Sequence, residues 1–266
     1  FNCRVIPNRG SWLDFEYDVK DFLYFKIDRK KKILASTLLL ALGYNKSEIV
    51  NEFYKSEKFT FDTKIEKWKT KFNPENYKTK NFSEEVVDAK TEKTVIKLGE
   101  KINYLNAKKL ANEGLKDILI SKESLYGKYL HRDIKISDEE DGIFKIGTEL
   151  NETIINQILE KKIVTLNLSV TNSINKGPYL LTTISNDKNN NKESAITEVY
   201  KMLRPGEPPT IEIATQIFNN LFFSSDRYDL SDVGRVKMNS RLNLECSDKV
   251  TILRNDDIIA IIHKML

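Results

Sequence analysis

Cysteine and histidine are scarce in this sequence of 266 residues, which contains 2 of each. Cys3 and Cys246 lie far apart and belong to no Cys-x-x-Cys or Cys/His grouping, which argues against a disulfide framework and against a zinc site. The longest nearly apolar stretch, Ile33 to Leu42, spans about ten residues, whereas a membrane helix needs about 20. We therefore expect a protein of a reducing interior with no membrane-spanning segment.

The familiar catalytic signatures are also missing. The sequence has no Walker loop, Gly-rich dinucleotide turn, His-Glu-x-x-His pair or nucleophile elbow. Its two histidines, His131 and His263, are expected to fill core or surface positions. The acidic run from Asp138 to Asp141 is best interpreted as a solvated turn before Gly142, because a two-metal site would need convergent carboxylates from other strands. The sequence therefore predicts no catalytic residue and no metal ligand in this chain.

What is present is an ordinary globular composition, with 40% hydrophobic and 31% charged residues. The length fits one large or two small domains. The 43 Lys and Arg residues exceed the 39 Asp and Glu residues, giving a net charge of +4. A surplus this small permits an anionic partner but does not establish one.

Hydrophobic periodicity predicts a mixed α+β fold. Trp12 to Asp18 alternates apolar with acidic residues, and Phe22 to Ile27 follows, so two paired strands are expected. Further predicted strands are Lys58–Phe61, Glu92–Lys97 and Leu166–Val170. Predicted helices are Ile33–Gly43, Glu48–Phe53 capped by Asn45 or Ser47, Ala107–Glu113, Glu152–Lys161, Ile196–Leu203, Thr210–Phe223 burying Ile213, Ile217, Phe218 and Leu221, and Ile258–Leu266.

The amino-acid composition and the predicted secondary structure change near Lys55 and again near Asn172, which indicates a lysine-rich, strand-rich insertion between two outer segments. The Asn- and Lys-rich tract from Asn186 to Lys192 is expected to be a surface loop. Because the chain begins with Phe1 and its last residues still have a helical pattern, we expect a piece of a longer polypeptide.

Several basic and aromatic residues are candidates for contact with nucleic acid. Trp12 follows Arg9 and a flexible Gly-Ser pair, a composition that suits either a stacking platform for an unpaired base or a core tryptophan. The run from Arg29 to Lys32 fits phosphate contact and a solvated hairpin end equally well. Arg204 and Arg227 lie at helix-breaking positions, where an arginine can hold phosphate or cap helix carbonyls.

Five segments, in this order and at about the family's spacing, closely resemble the beta subunit of bacterial RNA polymerase. They are Val5–Glu16, Ile27–Lys32, Met202–Thr210, Leu221–Phe223 and Val233–Arg235. The resemblance covers the whole chain. It implies that residues 1–54 and 173–266 form a discontinuous lobe domain of helices and short antiparallel strands, and that residues 55–172 form an inserted, β-rich external domain with a few helices.

The resemblance also implies a function: a non-catalytic module that contacts downstream duplex DNA and the unpaired nontemplate strand during transcription. By motif, Trp12 would stack on a nontemplate base, Arg204 would lie along that strand, and Arg227, Arg9 and Arg29 would be further DNA contacts. The implied enzyme is a nucleotidyltransferase whose catalytic magnesium is held by the other large subunit, so no cofactor is expected here. The implied partners are the beta', alpha and omega subunits and a sigma factor, in the bacterial cytoplasm at the nucleoid.

One departure and one alternative follow from the resemblance. The family's Arg-Arg-Arg-Lys-Leu-Pro run is Arg29-Lys30-Lys31-Lys32-Ile33-Leu34 here, which keeps the positive charge but loses two guanidinium forks and a proline. The alternative function, favoured by the modest net charge and the large polar insertion, is a docking surface for transcription factors with little direct role in binding DNA.

Overall fold

The computed structural model describes residues 2–77, 85–97, 103–136, 142–171 and 176–266. The acidic run from Asp138 to Asp141 therefore lies outside the described residues. In the described part, strands and helices are mixed, and every strand pairing is antiparallel. This confirms the predicted α+β class.

The strands in chain order are β1 (Asn2–Val5), β2 (Leu13–Tyr17), β3 (Leu23–Ile27), β4 (Ile33–Leu34), β5 (Ser56–Asp62), β6 (Lys67–Lys71), β7 (Val86–Asp88), β8 (Thr94–Ile96), β9 (Asp117–Ile120), β10 (Tyr129–Leu130), β11 (Ile134–Lys135), β12 (Ile143–Phe144) and β13 (Thr165–Ser169). The helices are α1 (Ala35–Ala41), α2 (Lys46–Phe53), α3 (Tyr104–Asn112), α4 (Glu152–Glu160), α5 (Tyr179–Asn186), α6 (Lys192–Leu203), α7 (Ile211–Phe222), α8 (Ser231–Leu242) and α9 (Asn255–Met265). The chain divides into two compact units, Phe1–Phe53 with Asn175–Leu266, and Tyr54–Ile174.

The first unit contains a four-stranded sheet in the order β1-β2-β3-β4. The period-two pattern of β2 and β3 places Leu13, Phe15, Leu23, Phe25 and Ile27 on one face, where all five are fully buried. Leu13 pairs with Ile27 and Phe15 pairs with Phe25 across the two strands. Helix α1 is buried along its whole length, and its two polar residues, Ser36 and Thr37, form internal hydrogen bonds.

Two predicted features of this unit need correction. The helix expected from Ile33 begins at Ala35, because Ile33 and Leu34 pair with β3 as a short strand. The helix ends at Ala41, and Gly43 takes the left-handed φ of +108° that favours a glycine at the end of a helix. In α7 the buried residues are Ala214, Phe218 and Phe222, whereas Ile213 is 48% exposed.

The tract from Asn186 to Lys192 is not simply a surface loop, because Asp187 and Asn189 are buried. The Asp187 carboxylate accepts hydrogen bonds from the hydroxyls of Ser36 and Thr37 at the start of α1. Asn191 then caps α6 by accepting a hydrogen bond from the backbone N–H of Ser194. The polar composition of the tract therefore serves partly as an internal anchor for α1.

The C-terminal part of the first unit is held by a buried ion pair. The Arg235 guanidinium of α8 contacts the Asp257 carboxylate of α9 at 2.9 Å, and both side chains are fully buried. Arg235 also donates to the backbone carbonyls of Val250 and Ile252. One guanidinium thus connects two helices to the segment between them, and its charge is compensated by a carboxylate and two carbonyls.

The second unit contains a seven-stranded sheet in the order β10-β13-β5-β6-β9-β7-β8, and β11 pairs with β12. Two hydrophobic clusters pack against it. Trp68 is fully buried in the larger cluster. Helices α3 and α4 are capped by Asn103 and Asn151, so α3 begins three residues before the predicted Ala107. His131 is buried, and its Nδ1 lies 2.9 Å from the Ser169 hydroxyl.

Replacing Asp257 by Asn should destabilise the first unit by about 3 kcal/mol, because the change leaves the buried Arg235 charge without its counter-ion. The measurement is urea unfolding followed by Trp12 fluorescence in a Trp68→Phe background, so that the signal comes from this unit. The matched control is Glu52→Gln, which removes the half-exposed Glu52–His263 contact and should cost less than about 1 kcal/mol. Equal losses for the two variants would contradict this account.

The free energy of unfolding of the second unit should decrease as the pH drops below about 6.5, the ordinary pKa of histidine. Burial, with a smaller effect of the nearby Arg132, lowers the pKa of His131 in the folded state. The unfolded chain therefore takes up the proton first as the pH falls, and protonation favours unfolding. The urea midpoint reported by Trp68 fluorescence should decrease with acid, and His131→Asn should flatten that decrease. An unchanged pH dependence in the variant would show that other groups cause it.

Candidate nucleic-acid interface

The five residues singled out from the sequence lie in four loops of the first unit. Arg9 and Trp12 lie between β1 and β2, Arg29 lies in the turn between β3 and β4, Arg204 follows α6, and Arg227 precedes α8. The four arginines are exposed, and Trp12 is half-buried. Specific backbone and side-chain contacts connect these loops to one another.

Arg9 and Arg227 belong to loops that are hydrogen-bonded together. The backbone N–H of Arg9 donates to the Asp229 carbonyl at 3.0 Å, and the N–H of Asp229 donates back to the Arg9 carbonyl at 2.8 Å. The Arg9 guanidinium adds a hydrogen bond to the Ser225 carbonyl at 2.9 Å. These contacts span about 220 residues of sequence and place both arginines on one part of the surface.

Gly10 permits this close approach. Its φ is +122°, a conformation that L-residues with a side chain rarely adopt. A Cβ atom at this position would lie 2.7 Å from Cδ2 of Tyr228 and 3.0 Å from the Arg227 carbonyl oxygen. Tyr228 is fully buried, so it cannot move aside easily. Glycine is therefore required here for two independent reasons, backbone conformation and space.

The backbone of Trp12 is held by Asp28, at the turn after β3. The N–H of Trp12 donates to the Asp28 carboxylate at 2.8 Å, and the N–H of Asp28 donates to the Trp12 carbonyl at 3.1 Å. Asp28 and Arg29 both have left-handed backbone conformations, with φ of +50° and +59°. Aspartate tolerates that conformation better than most residues. The turn thus brings the Arg29 side chain back toward the indole.

Two guanidinium groups lie over the indole ring of Trp12. The Cζ of Arg29 lies 4.8 Å from the ring centroid, and the Cζ of Arg4 lies 5.6 Å away. Both distances are within the range of a cation–π attraction. Arg4 is also paired with the Asp14 carboxylate on the neighbouring strand. Positive charge from two side chains therefore lies over the indole ring.

Arg204 is connected to the same surface through Lys30. The Lys30 ammonium donates to the Leu203 carbonyl at 3.1 Å, so the β3–β4 turn lies against the end of α6, next to Arg204. Arg204 itself forms an ion pair with Glu207 at 3.2 Å. The hydrogen bond from the Tyr200 hydroxyl, with a smaller effect of Arg204, lowers the pKa of Glu207. Glu207 therefore stays ionised and holds Arg204 in place near neutral pH.

Arg4 is the residue at this site that sequence reasoning missed. No basic run or glycine marks it in the sequence, and its position beside Trp12 follows from the pairing of β1 with β2, which sets Arg4 opposite Asp14. Chemically, the assembled site offers one aromatic face and several guanidinium forks. An aromatic face can stack with a base, and guanidinium groups can grip phosphate oxygens. In the described ranges, no group of three or more His, Cys, Asp or Glu side chains could hold a metal ion.

The comparison with known proteins decides the family. A family model described as RNA polymerase Rpb2, domain 2, matches residues 4–128 and 155–266. The chain belongs to the RNA polymerase Rpb2 domain 2 family. This finding confirms the resemblance that the five motif segments carried in the sequence. In the part of the chain that the structure describes, no helix is long and apolar enough to cross a bilayer.

The curated relatives of this Rpb2 domain 2 chain are proteins much longer than the chain itself. It is 43% identical over all 266 residues to the DNA-directed RNA polymerase subunit beta of Rickettsia felis and to that of Rickettsia rickettsii. The identity to the corresponding subunit of Rickettsia canadensis is 42%. Each match covers 100% of this chain and 19% of the relative. The chain is therefore similar throughout to one segment, about a fifth, of bacterial RNA polymerase beta subunits.

Gly10→Ala should disrupt this surface more than Gly206→Ala does. Both glycines have positive φ, but no atom lies within 4 Å of a Cβ built on Gly206, so that variant carries only backbone strain. The Gly10 variant adds the clash with Tyr228 and should lose about 2 kcal/mol or more of stability, against about 1 kcal/mol for the control. Urea unfolding followed by Trp12 fluorescence measures both. Equal losses would mean that the Gly10–Tyr228 approach does not matter.

Proposed function

We propose that this chain is the part of an RNA polymerase beta subunit that holds the unpaired nontemplate DNA strand beside the downstream duplex. The observation that carries the proposal is that Arg29 lies over the Trp12 ring, and that hydrogen bonds connect the loops of these two residues to those that carry Arg9, Arg204 and Arg227. An aromatic ring within a cluster of exposed cations is the usual composition of a site for single-stranded nucleic acid.

Trp12 is the stacking residue in this proposal. Stacking of a base on an aromatic side chain contributes about 1–3 kcal/mol and tolerates any base. Arg29 and Arg4 already lie over the indole, so an incoming base shares the ring with one cation and displaces the other from it. The displaced guanidinium remains beside the base, where it can bind the flanking phosphate. Stacking and charge neutralisation therefore occur together.

Arg204, Arg9 and Arg227 are the phosphate contacts. The Arg204 side chain remains 53% exposed within its ion pair with Glu207, so N–H groups that do not contact Glu207 can reach a phosphate. Arg9 is held by the Ser225 carbonyl, which leaves most of its guanidinium donors for phosphate oxygens. Each phosphate neutralised in this way releases condensed counter-ions, so binding should weaken as salt increases.

The similarity to RNA polymerase beta subunits supports the larger assembly that we propose. The first unit is the lobe domain and the second unit is the external domain inserted in it. The chain acts within a DNA-directed RNA polymerase, a nucleotidyltransferase, together with the beta', alpha and omega subunits and a sigma factor in the bacterial cytoplasm. Catalysis and the catalytic magnesium belong to that whole enzyme, and this segment contributes a wall of the DNA channel.

Trp12→Ala and Arg204→Ala, introduced separately into the assembled polymerase, should each shorten the lifetime of promoter open complexes. The expected change for Trp12→Ala is about fivefold or more, which corresponds to the loss of at least about 1 kcal/mol of stacking. The measurement is the decay of competitor-resistant complexes over a range of salt concentrations.

Conservative variants serve as matched controls for this experiment. Trp12→Phe keeps an aromatic face and should retain most of the lifetime. Arg204→Lys keeps the charge but loses the bidentate fork, so its lifetime should lie between those of the parent and the alanine variant. Unchanged lifetimes for both alanine variants would overturn the assignment of this surface to the nontemplate strand.

A further inference from the structure

The outer face of the four-stranded sheet continues the surface on which Trp12 lies. Because side chains alternate along a strand, the face opposite the buried core carries Asp14 and Glu16 from β2 and Tyr24 and Lys26 from β3. Arg4 of β1 joins this face opposite Asp14. No function assigned so far uses Tyr24 or Lys26.

Tyr24 repeats the arrangement found at Trp12. The Lys32 ammonium lies 4.3 Å from the centroid of the Tyr24 ring, as the Arg29 guanidinium lies 4.8 Å from that of Trp12. Each aromatic side chain on this face is therefore partnered by a cation from the same β3–β4 connection. Aromatic side chains on the open face of a small antiparallel sheet are a common way to hold bases of a single strand.

The spacing of the two rings suits two different bases of one strand. Glu16 is paired with Tyr24, and Trp12 lies four residues before Glu16 on the same chain. At about 3.3 Å per residue along a strand, the two aromatic positions are about 13 Å apart. Adjacent stacked nucleotides are separated by about 3.4 Å. The rings therefore hold non-adjacent bases, with unstacked nucleotides passing between them.

A cleft in the region of the sheet formed by β1, β2 and β3 is lined mainly by charged groups. It has a volume of about 350 Å³, and its lining includes Arg4, Asp14, Glu16, Lys26 and Arg29. The Asp14 side chain is 8% exposed and is paired with Arg4, which is 44% exposed. Glu16 is paired with Lys26 at 2.7 Å. Both carboxylates are thus neutralised by a partner. Arg4 contacts Asp14 through its Nε, so the terminal Nη groups of Arg4 and the Arg29 guanidinium are the donors that can meet a phosphate.

We propose that the outer face of the sheet, from Trp12 to Tyr24, is a track for the unpaired strand, with Tyr24 stacking on a second base and Arg4 binding a phosphate between the two. This inference rests on the proposed function, because the track begins at the base that Trp12 holds. It adds a second stacking residue and a direction: the nontemplate strand continues along β2 and β3 rather than ending at Trp12.

The test uses the assembled polymerase bound to a promoter whose nontemplate strand carries 2-aminopurine at one position at a time. Stacking quenches 2-aminopurine, so the quenched positions mark the bases that are held. We expect two quenched positions that are not adjacent. Trp12→Ala should restore fluorescence at one of them and Tyr24→Ala at the other. Tyr24→Ala should also shorten the open-complex lifetime about fivefold, the effect of losing one weak stack.

Further variants keep the test decisive. Tyr24→Phe keeps the ring and should leave the second position quenched. Tyr24→Leu keeps apolar bulk without an aromatic face and should behave like Tyr24→Ala, so a fault in folding is not mistaken for lost stacking. Tyr126→Ala, at a half-exposed tyrosine of the other unit, should change no position.

The outcomes separate the track from the proposed function. If Trp12→Ala releases a base while neither Tyr24→Ala nor Tyr24→Leu changes any position, the track is wrong and the role of Trp12 stands. If Trp12→Ala changes no position while Tyr24→Ala releases a base, the stacking role of Trp12 is wrong and the site at Tyr24 stands. If neither variant changes any position, both proposals fall.

Discussion

The candidate site depends on the contacts of the buried Arg235 guanidinium, which are an ion pair with Asp257 and hydrogen bonds to two backbone carbonyls. The guanidinium holds the carbonyls of Val250 and Ile252, and the carbonyl of Thr251 between them accepts the backbone N–H of Leu230. Leu230 directly follows Asp229, which exchanges backbone hydrogen bonds with Arg9. A side chain with no exposure thus fixes loops on the surface. Buried charges are costly unless fully paired, so this anchor is strong only while Asp257 balances it.

The cations of this surface are held by partners within the chain. Arg29 makes a cation–π contact with the Trp12 indole, and Arg204 forms an ion pair with the Glu207 carboxylate. Arg9 donates a hydrogen bond to the Ser225 carbonyl. Holding them reduces the side-chain entropy that binding would otherwise cost, but each contact must be exchanged or shared when a phosphate arrives. The net gain per contact is therefore modest. In the function that we propose, such a site would bind by many small exchanges of contacts, which suits a strand that must be held and later released.

The sequence predicts helices and strands well where local periodicity determines them. It predicts poorly where burial depends on contacts with residues far away in the sequence. The alternation in Trp12–Asp18 and Phe22–Ile27 gave two paired strands, as the structure shows. Helix α8 was missed because its buried residue is an arginine, not an apolar stripe. The polar tract at Asp187 was expected on the surface because its partners, Ser36 and Thr37, lie about 150 residues earlier. Similarly, Arg9 and Arg227 were candidates from the sequence, but only the pairing of Arg9 with Asp229 brings them together.

The chemistry of this surface favours shape and charge over base identity. Ring stacking uses the face that every base has, and arginine contacts to phosphate are blind to sequence. The small net charge of +4 does not reveal this arrangement, because the sum includes carboxylates that are paired with cations, such as Asp14 with Arg4 and Glu16 with Lys26. What matters is therefore which charges remain exposed and not the sum over the chain. In the proposed function such a surface would therefore hold an unpaired strand of any sequence, and selectivity for particular bases would require groups that reach base edges in addition to those that hold the backbone.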